Sequence, residues 1–135
     1  MVIKADNPIL IGPILKLAEN IGDVQLDELK SMLAESMTRK DSMVCVEKKD
    51  GIVRGYMLGS IERINGTDCV FIQSCYVEPN SNGVCFELLN RFKHWALENN
   101  IRMLYFMTQR NAEAFERKYK FEYCGTMLKK ELKEA

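Results

Sequence analysis

The sequence predicts a mixed α/β domain whose sheet is mostly antiparallel. Three observations carry that prediction. Residues 43–77 read as three strands joined by two tight glycine turns. Residues 84–96 then switch to an apolar stripe at helical spacing. An apolar run at 103–107 follows that helix, and a strand–helix–strand connection of this kind needs a crossover that sets its two strands parallel and adjacent.

Each element has its own reason. Val2–Lys4 opens the chain as a short strand. Asp6-Asn7-Pro8 reads as a helix start, because Asx side chains cap and proline suits the first turn. Pro13 is expected to shorten or break that helix, which ends near Asn20-Ile21-Gly22. Leu26, Leu29, Leu33 and Met37 recur at helical spacing, with Asp27, Glu28, Lys30 and Glu35 on the other side. The period then changes. Residues 43–49 and Ile52–Ile64 are strands around an Asp50-Gly51 turn, and Asn65-Gly66 turns the chain into a third, more apolar strand at 69–77. After Pro79, the residues Val84, Leu88, Phe92, Trp95 and Ala96 form one apolar helical face that stops at Asn99-Asn100. Residues 102–108 are read as a strand, 111–119 as a short helix and 121–132 as a final strand.

Composition narrows the function. The chain has 135 residues, the size of one domain, with 19 basic and 19 acidic side chains and no net charge. Apolar residues make up 47% and charged residues 28%, so disorder is excluded. No basic excess points to nucleic acid. No apolar run reaches the roughly 20 residues that span a bilayer, and Met1-Val2-Ile3-Lys4-Ala5-Asp6 does not read as a secretory signal. Five cysteines without CxxC spacing and a single histidine, His94, give a metal little to bind. Free thiols in a reducing cytoplasm are expected, and His94 beside Trp95 is read as a surface or packing residue.

The strand-to-helix junction after Val77 is where chemistry is expected. Parallel strands joined by a helix leave a crevice at their carboxyl ends. The helix beginning near Gly83 aims unpaired N–H groups and a positive dipole end into that region, a setting suited to phosphates.

At this junction the chain resembles the GNAT acetyltransferase superfamily. Val77-Glu78-Pro79 matches the family's central-strand ending, and Asn80-Ser81-Asn82-Gly83-Val84-Cys85 occupies its glycine-containing loop, followed by Leu88-Leu89. Gln109-Arg110-Asn111-Ala112 through Phe115 to Phe121 resembles a second family segment, residues 125–132 resemble its ending, and Ile3-Lys4-Ala5 resembles its opening strand. The resemblance implies a single GNAT-like domain over residues 1–135, with a sheet splayed at its centre and helices on both faces. It departs from the family pattern at Asn80 (commonly arginine or glutamine), Cys85 (glycine or alanine), Glu116 (tyrosine) and Lys120 (glycine). Fourteen residues follow Phe121, where the family fits two strands.

The resemblance further implies an acetyl-CoA-dependent N-acetyltransferase acting on a small-molecule or protein amine by direct attack. The diphosphate would lie on Asn82, Gly83, Val84, Cys85 and Phe86. The pantetheine arm would pair with Cys75, Tyr76 and Val77, and Gln109, Ala112 and Phe115 would flank the cofactor. Tyr119 or Tyr76 would stand in for the missing acid, Glu78 or Glu62 would be the base, and no metal is expected. Amine transfer from a thioester needs such an acid, a base and an oxyanion donor. Two other classes compete: a CoA-binding or protein-interaction domain that kept the fold without the chemistry, and a homodimer that exchanges its last strand. Cys85, near a helix start, is a candidate reactive thiol.

Overall fold

A computed structural model describes residues 1–20, 25–81, 83–107, 112–125, 128 and 130–132. Strand β1 (Val2–Lys4) leads through a 3-10 turn (Pro8–Leu10) into helices α1 (Ile11–Ala18) and α2 (Leu26–Thr38). The meander β2 (Ser42–Lys49), β3 (Ile52–Ile64) and β4 (Thr67–Val77) follows, then α3 (Val84–Glu98), β5 (Leu104–Phe106) and α4 (Ala112–Tyr119). The five strands lie in sequence order in one sheet. All neighbours are antiparallel except β4 and β5, which run parallel, as the crossover requires.

Local chemistry explains the turns. Asp50 and Gly51 have φ of 54° and 76°, and Asn65 and Gly66 have 52° and 78°. Both central residues of each two-residue loop are thus left-handed, the type I′ geometry that matches strand twist and favours Asx-Gly. Asn7 caps the first turn, its side-chain oxygen accepting from the Ile9 N–H at 3.1 Å.

The sheet divides two cores. On one face α1 and α2 cover Val44, Val46, Tyr56, Leu58 and Tyr76. On the other, Leu88, Leu89, Phe92 and Ala96 of α3 pack on Met43, Cys45, Met57, Val70 and Ile72, with Tyr119 and Phe121 against the same cluster. Each fully buried Leu or Phe here contributes about 1.5–3 kcal/mol by leaving water. Close approach of α3 requires glycine on β3: a Cβ at Gly59 would come within 2.8 Å of Phe92 Cε1 and 3.0 Å of the Phe71 carbonyl oxygen.

Helix α1 is short, as Pro13 leads one to expect, and the proline sits in its first turn, where backbone N–H groups lack intrahelical acceptors anyway. The structure corrects two expectations. The strand expected at 102–108 spans only Leu104–Phe106. None of the described residues of 121–132 forms a strand. Lys120 (φ 60°) and Gly125 (φ 145°) leave extended geometry, and Leu128 and Leu132 are 87% and 85% exposed, so the apolar alternation there finds no face to cover.

Candidate functional site

The site begins with a register break. Leu58 pairs with Ser74 and Gly59 with Ile72, so Gln73 is an extra residue in β4. Such a bulge bends its strand and increases the local twist. On the other edge β4 pairs with β5 only at Val70–Ile72, and the Met107 N–H to Ile72 carbonyl bond (3.1 Å) closes that pairing. Beyond Ile72, β4 continues to Val77 against β3 while β5 has stopped. The two parallel strands therefore part in mid-sheet, and the opening faces the start of α3.

The junction is shaped by its sequence. The Ser81 N–H donates to the Glu78 carbonyl at 3.2 Å, and Asn80 has φ 66°. Proline followed by a left-handed Asn is the pattern of a type II turn. Gly83 is the N-cap of α3 with φ 83° and no side-chain cap, and a Cβ there would meet nothing within 4 Å. Glycine is used for its dihedral angle, and it leaves the helix start open. Val84 then seats the helix: a Cβ at Gly55 would lie 2.9 Å from Val84 Cγ1 and 3.3 Å from Val77 Cγ2.

Cys85 points away from this open turn. Cys85, Cys75 of β4 and Tyr119 of α4 all pack on the α3-side core. Interaction with Cys75, aided by Tyr119 and the Lys118 charge, lowers the Cys85 pKa to about 7 against the opposing effect of burial. Burial, then the hydrogen bond and charge of Cys85, push the Tyr119 phenol up, so it holds its proton. With Cys85 packed against the core, the N-terminal turn of the 15-residue α3 carries no side-chain cap, an arrangement that suits an anion such as a diphosphate.

The other sheet face carries a polar chain. Gln73 Nε2 donates to Ser60 Oγ at 2.8 Å, and Ser60 Oγ donates to Glu62 Oε1 at 2.8 Å. Nearby, the Tyr56 and Ser74 hydroxyls lie 2.8 Å apart. Glu62 was legible as a candidate; Gln73 and Ser60 were not, because a bulge sets their contact. The one available signal was the polar interruption Gln73-Ser74 in an apolar strand.

The remaining candidates separate. Tyr76 is 5% exposed in the core under α1 and α2, on the opposite face from Tyr119. Glu78 is held by Arg54 in an ion pair of 2.7 Å. Val77 and Val84 pack together on the α3 side, and Phe86 is exposed. Ala112 and Phe115 belong to α4, their side chains lying outside the described set; Asn82 and Gln109 also lie outside the described residues. A cleft of about 670 Å³ opens beside β5, lined by Tyr105, Glu116, Tyr119 and residues 120–125 among others. Among the described residues no cluster suits a metal, and no helix is long and apolar enough to cross a membrane.

Comparison with known proteins agrees with this fold. An aminoglycoside antibiotic 6'-N-acetyltransferase from Acinetobacter haemolyticus superposes with a TM-score of 0.81 at 16% identity, over 100% of this chain and 99% of that one. A predicted acetyltransferase from Clostridium acetobutylicum, solved with acetyl-CoA, gives 0.78 at 15% identity, over 97% and 95%. An aminoglycoside acetyltransferase in complex with the bisubstrate analogue CoA-S-monomethyl-acetylneamine gives 0.79 at 16% identity, over 98% and 97%. No curated protein matches the sequence. The profile of the Acetyltransferase (GNAT) family matches residues 15–121, and the chain belongs to that family.

Proposed function

We propose that the chain is an acetyl-CoA-dependent N-acetyltransferase that acetylates a small-molecule or protein amine by direct attack. The observation that carries this reading is the parting of β4 and β5 beside the open start of α3. Relatives of the same fold solved with acetyl-CoA or a CoA-based bisubstrate analogue support it.

Acetyl-CoA supplies an activated acyl group as a thioester. The chain's own groups do the rest. The N–H groups of Gly83, Val84, Cys85 and Phe86, with Asn82, hold the diphosphate by backbone donation, which needs no basic side chain. The β4 backbone at Cys75, Tyr76 and Val77 receives the pantetheine arm, and a β4 N–H serves as the oxyanion donor. Gln109, Ala112 and Phe115 are the positions that the family resemblance would set beside the arm.

Tyr119 is the proton donor to the leaving sulfur. A phenol titrates near 10 and a thiol near 8.5, and Tyr119 is raised further. It therefore stabilises the thiolate by a donated hydrogen bond more than by full transfer. Tyr76, buried on the other face, is the weaker choice. Glu62, oriented by Ser60 and Gln73, takes the ammonium proton through water; Glu78 is held by Arg54 and ranks second.

The test has two stages. Millimolar acetyl-CoA should raise the melting temperature, since a ligand that binds only the folded state stabilises it by mass action. Free-thiol release should then appear with at least one member of an amine panel that includes aminoglycosides. The absence of any melting shift would sink the reading. A shift without thiol release across the panel would favour the non-catalytic CoA-binding domain.

A further inference from the structure

Tyr56 of β3 is a buried phenol, 1% exposed, and its oxygen lies 2.8 Å from the Ser74 hydroxyl of β4. Ser74 is only half-buried, and among the described residues this is its one side-chain hydrogen bond. The direction of the bond follows from burial. A buried donor without an acceptor bears the full cost of its desolvation, and among the described residues Ser74 is the acceptor set against the phenol. The Tyr56 proton therefore goes to Ser74 Oγ. Burial also pushes the Tyr56 phenol up, so it holds that proton. The Ser74 hydroxyl accepts one bond and still has its own proton to donate.

We propose that Ser74 is a catalytic residue of the acetyl transfer, donating a hydrogen bond to the thioester carbonyl oxygen as charge develops there, and that Tyr56 is the positioning residue that aims it. The inference rests on the acetyltransferase reading above.

The place of Ser74 in its strand supports the assignment. It follows Gln73, the extra residue of the bulge, and stands two positions beyond Ile72, where pairing with β5 ends. Ser74 thus lies where the two strands part. In the reading above, the diphosphate sits at the start of α3 and the pantetheine arm runs back along Val77, Tyr76 and Cys75. The thioester at the end of that arm then falls at Ser74. Tyr56, Leu58, Ser60 and Glu62 alternate onto one face of β3, so the partner of Ser74 and the proposed base share a face.

The step balances without a further reactant. The lone pair of the neutral amine forms a C–N bond to the thioester carbon, and the carbonyl π pair moves to oxygen. The Ser74 hydroxyl and a β4 N–H donate hydrogen bonds to that oxygen, and neither gives up its proton. The C=O bond re-forms as the C–S bond breaks, and the electron pair leaves on sulfur. The proton that the nitrogen loses balances the one that the sulfur takes up. Donors set in place before the charge appears need no reorganisation during the step, and the bond accepted from Tyr56 fixes and polarises the Ser74 hydroxyl.

The experiment compares Ser74→Ala, Tyr56→Phe and the double variant with the unaltered full-length chain. Loss of one oxyanion donor costs about 10²–10³ in turnover, so kcat of Ser74→Ala should fall by about that factor. Its melting shift with acetyl-CoA should persist, because backbone groups hold the ligand. Tyr56→Phe leaves the Ser74 hydroxyl present but unaimed, and its loss in kcat should be the smaller. Ser74→Ala also strands a buried phenol, which lowers the melting temperature whatever Ser74 does in catalysis. The double variant removes that phenol and should melt above Ser74→Ala while its kcat stays down. Melting temperature and kcat recovering together in the double variant would overturn the proposal, as would full turnover in Ser74→Ala; either result leaves the acetyltransferase reading standing. An unaltered chain that shows no melting shift with acetyl-CoA, or a shift without turnover, would overturn both.

Discussion

Cys85, in the first turn of α3, and Tyr119, at the end of α4, pack against the same core on the α3 face of the sheet. That shared core joins the two helices that would flank the acetyl-CoA site. It also couples two protons. Cys85 gives up its proton near neutrality because Cys75 and Tyr119 stabilise its thiolate, and Tyr119 keeps its proton because that thiolate lies against it. A phenol engaged with Cys85 is less available to a leaving sulfur, so the same contact that positions Tyr119 also competes for it.

Alkylation reads this coupling directly. Iodoacetamide should label Cys85 with a rate that rises through a midpoint near pH 7, the pKa to which Cys75 lowers it. An ordinary thiol has its midpoint near 8.5. The sign is fixed by the reacting species: below the midpoint the protonated thiol is inert, above it the thiolate reacts. In Tyr119→Phe one stabilising bond is gone and the midpoint should move up. A midpoint unmoved in that variant would mean that the phenol is not in contact with Cys85 in solution.

Tyr119→Phe also tests catalysis. Loss of a positioned proton donor costs about 10²-fold or more in turnover, so kcat should fall by about that factor. Acetyl-CoA should still shift the melting temperature, because the diphosphate and arm are held by backbone groups. Tyr76→Phe should fall short of that loss in turnover and act on stability instead, since Tyr76 is buried under α1 and α2. Equal kcat losses in the two variants would remove the assignment.

Much of this arrangement was legible in the chain, for local reasons. Asp50-Gly51 and Asn65-Gly66 announce their turns because few other dipeptides accept two left-handed residues. The bounds of β3 follow from those turns, and the parallel pairing of β4 with β5 follows from the helix between them. What stayed hidden depends on distant partners. No residue near Gln73 marks a bulge, because a bulge is a property of the register between two strands. The meeting of Cys75 with Cys85 needs α3 to fold back along β4. The strand expected over 121–132 has apolar alternation, but β5 offers it only a three-residue edge.

The two carboxylates near the site should separate by substitution. Glu62→Gln keeps an acceptor for the Ser60 hydroxyl and removes the charge. Turnover should fall about 10²-fold if Glu62 relays the ammonium proton, and raising the pH should recover part of the loss by deprotonating the amine in solution. Glu78→Gln removes the charge that pairs with Arg54, a half-exposed ion pair whose loss costs about 0–1 kcal/mol. Its effect on turnover should be the smaller of the two. Steady-state rates between pH 6 and 9 for both variants check the order, and a larger loss in Glu78→Gln would transfer the base role.

Two glycines of β3 let α3 approach the sheet, and substituting them should have different consequences. A Cβ at Gly59 would press on the Phe92 ring at 2.8 Å and on the Phe71 carbonyl oxygen at 3.0 Å, in the middle of the α3-side core. Overpacking of this kind costs about 1–3 kcal/mol, so Gly59→Ala should lower the melting temperature. The start of α3 lies away from Phe92, and acetyl-CoA should bind the folded variant as before. A Cβ at Gly55 would instead meet Val84 Cγ1 at 2.9 Å, with the Tyr76 carbonyl oxygen at 3.2 Å and Val77 Cγ2 at 3.3 Å. Val84 is the first residue of α3, so relief of that clash must lift or rotate the helix start. Gly55→Ala should therefore weaken acetyl-CoA binding beyond what its stability loss explains. Calorimetric titration well below each melting temperature separates the two effects. Equal affinities in both alanine variants would show that the seat of Val84 on Gly55 does not set the geometry of the anion site.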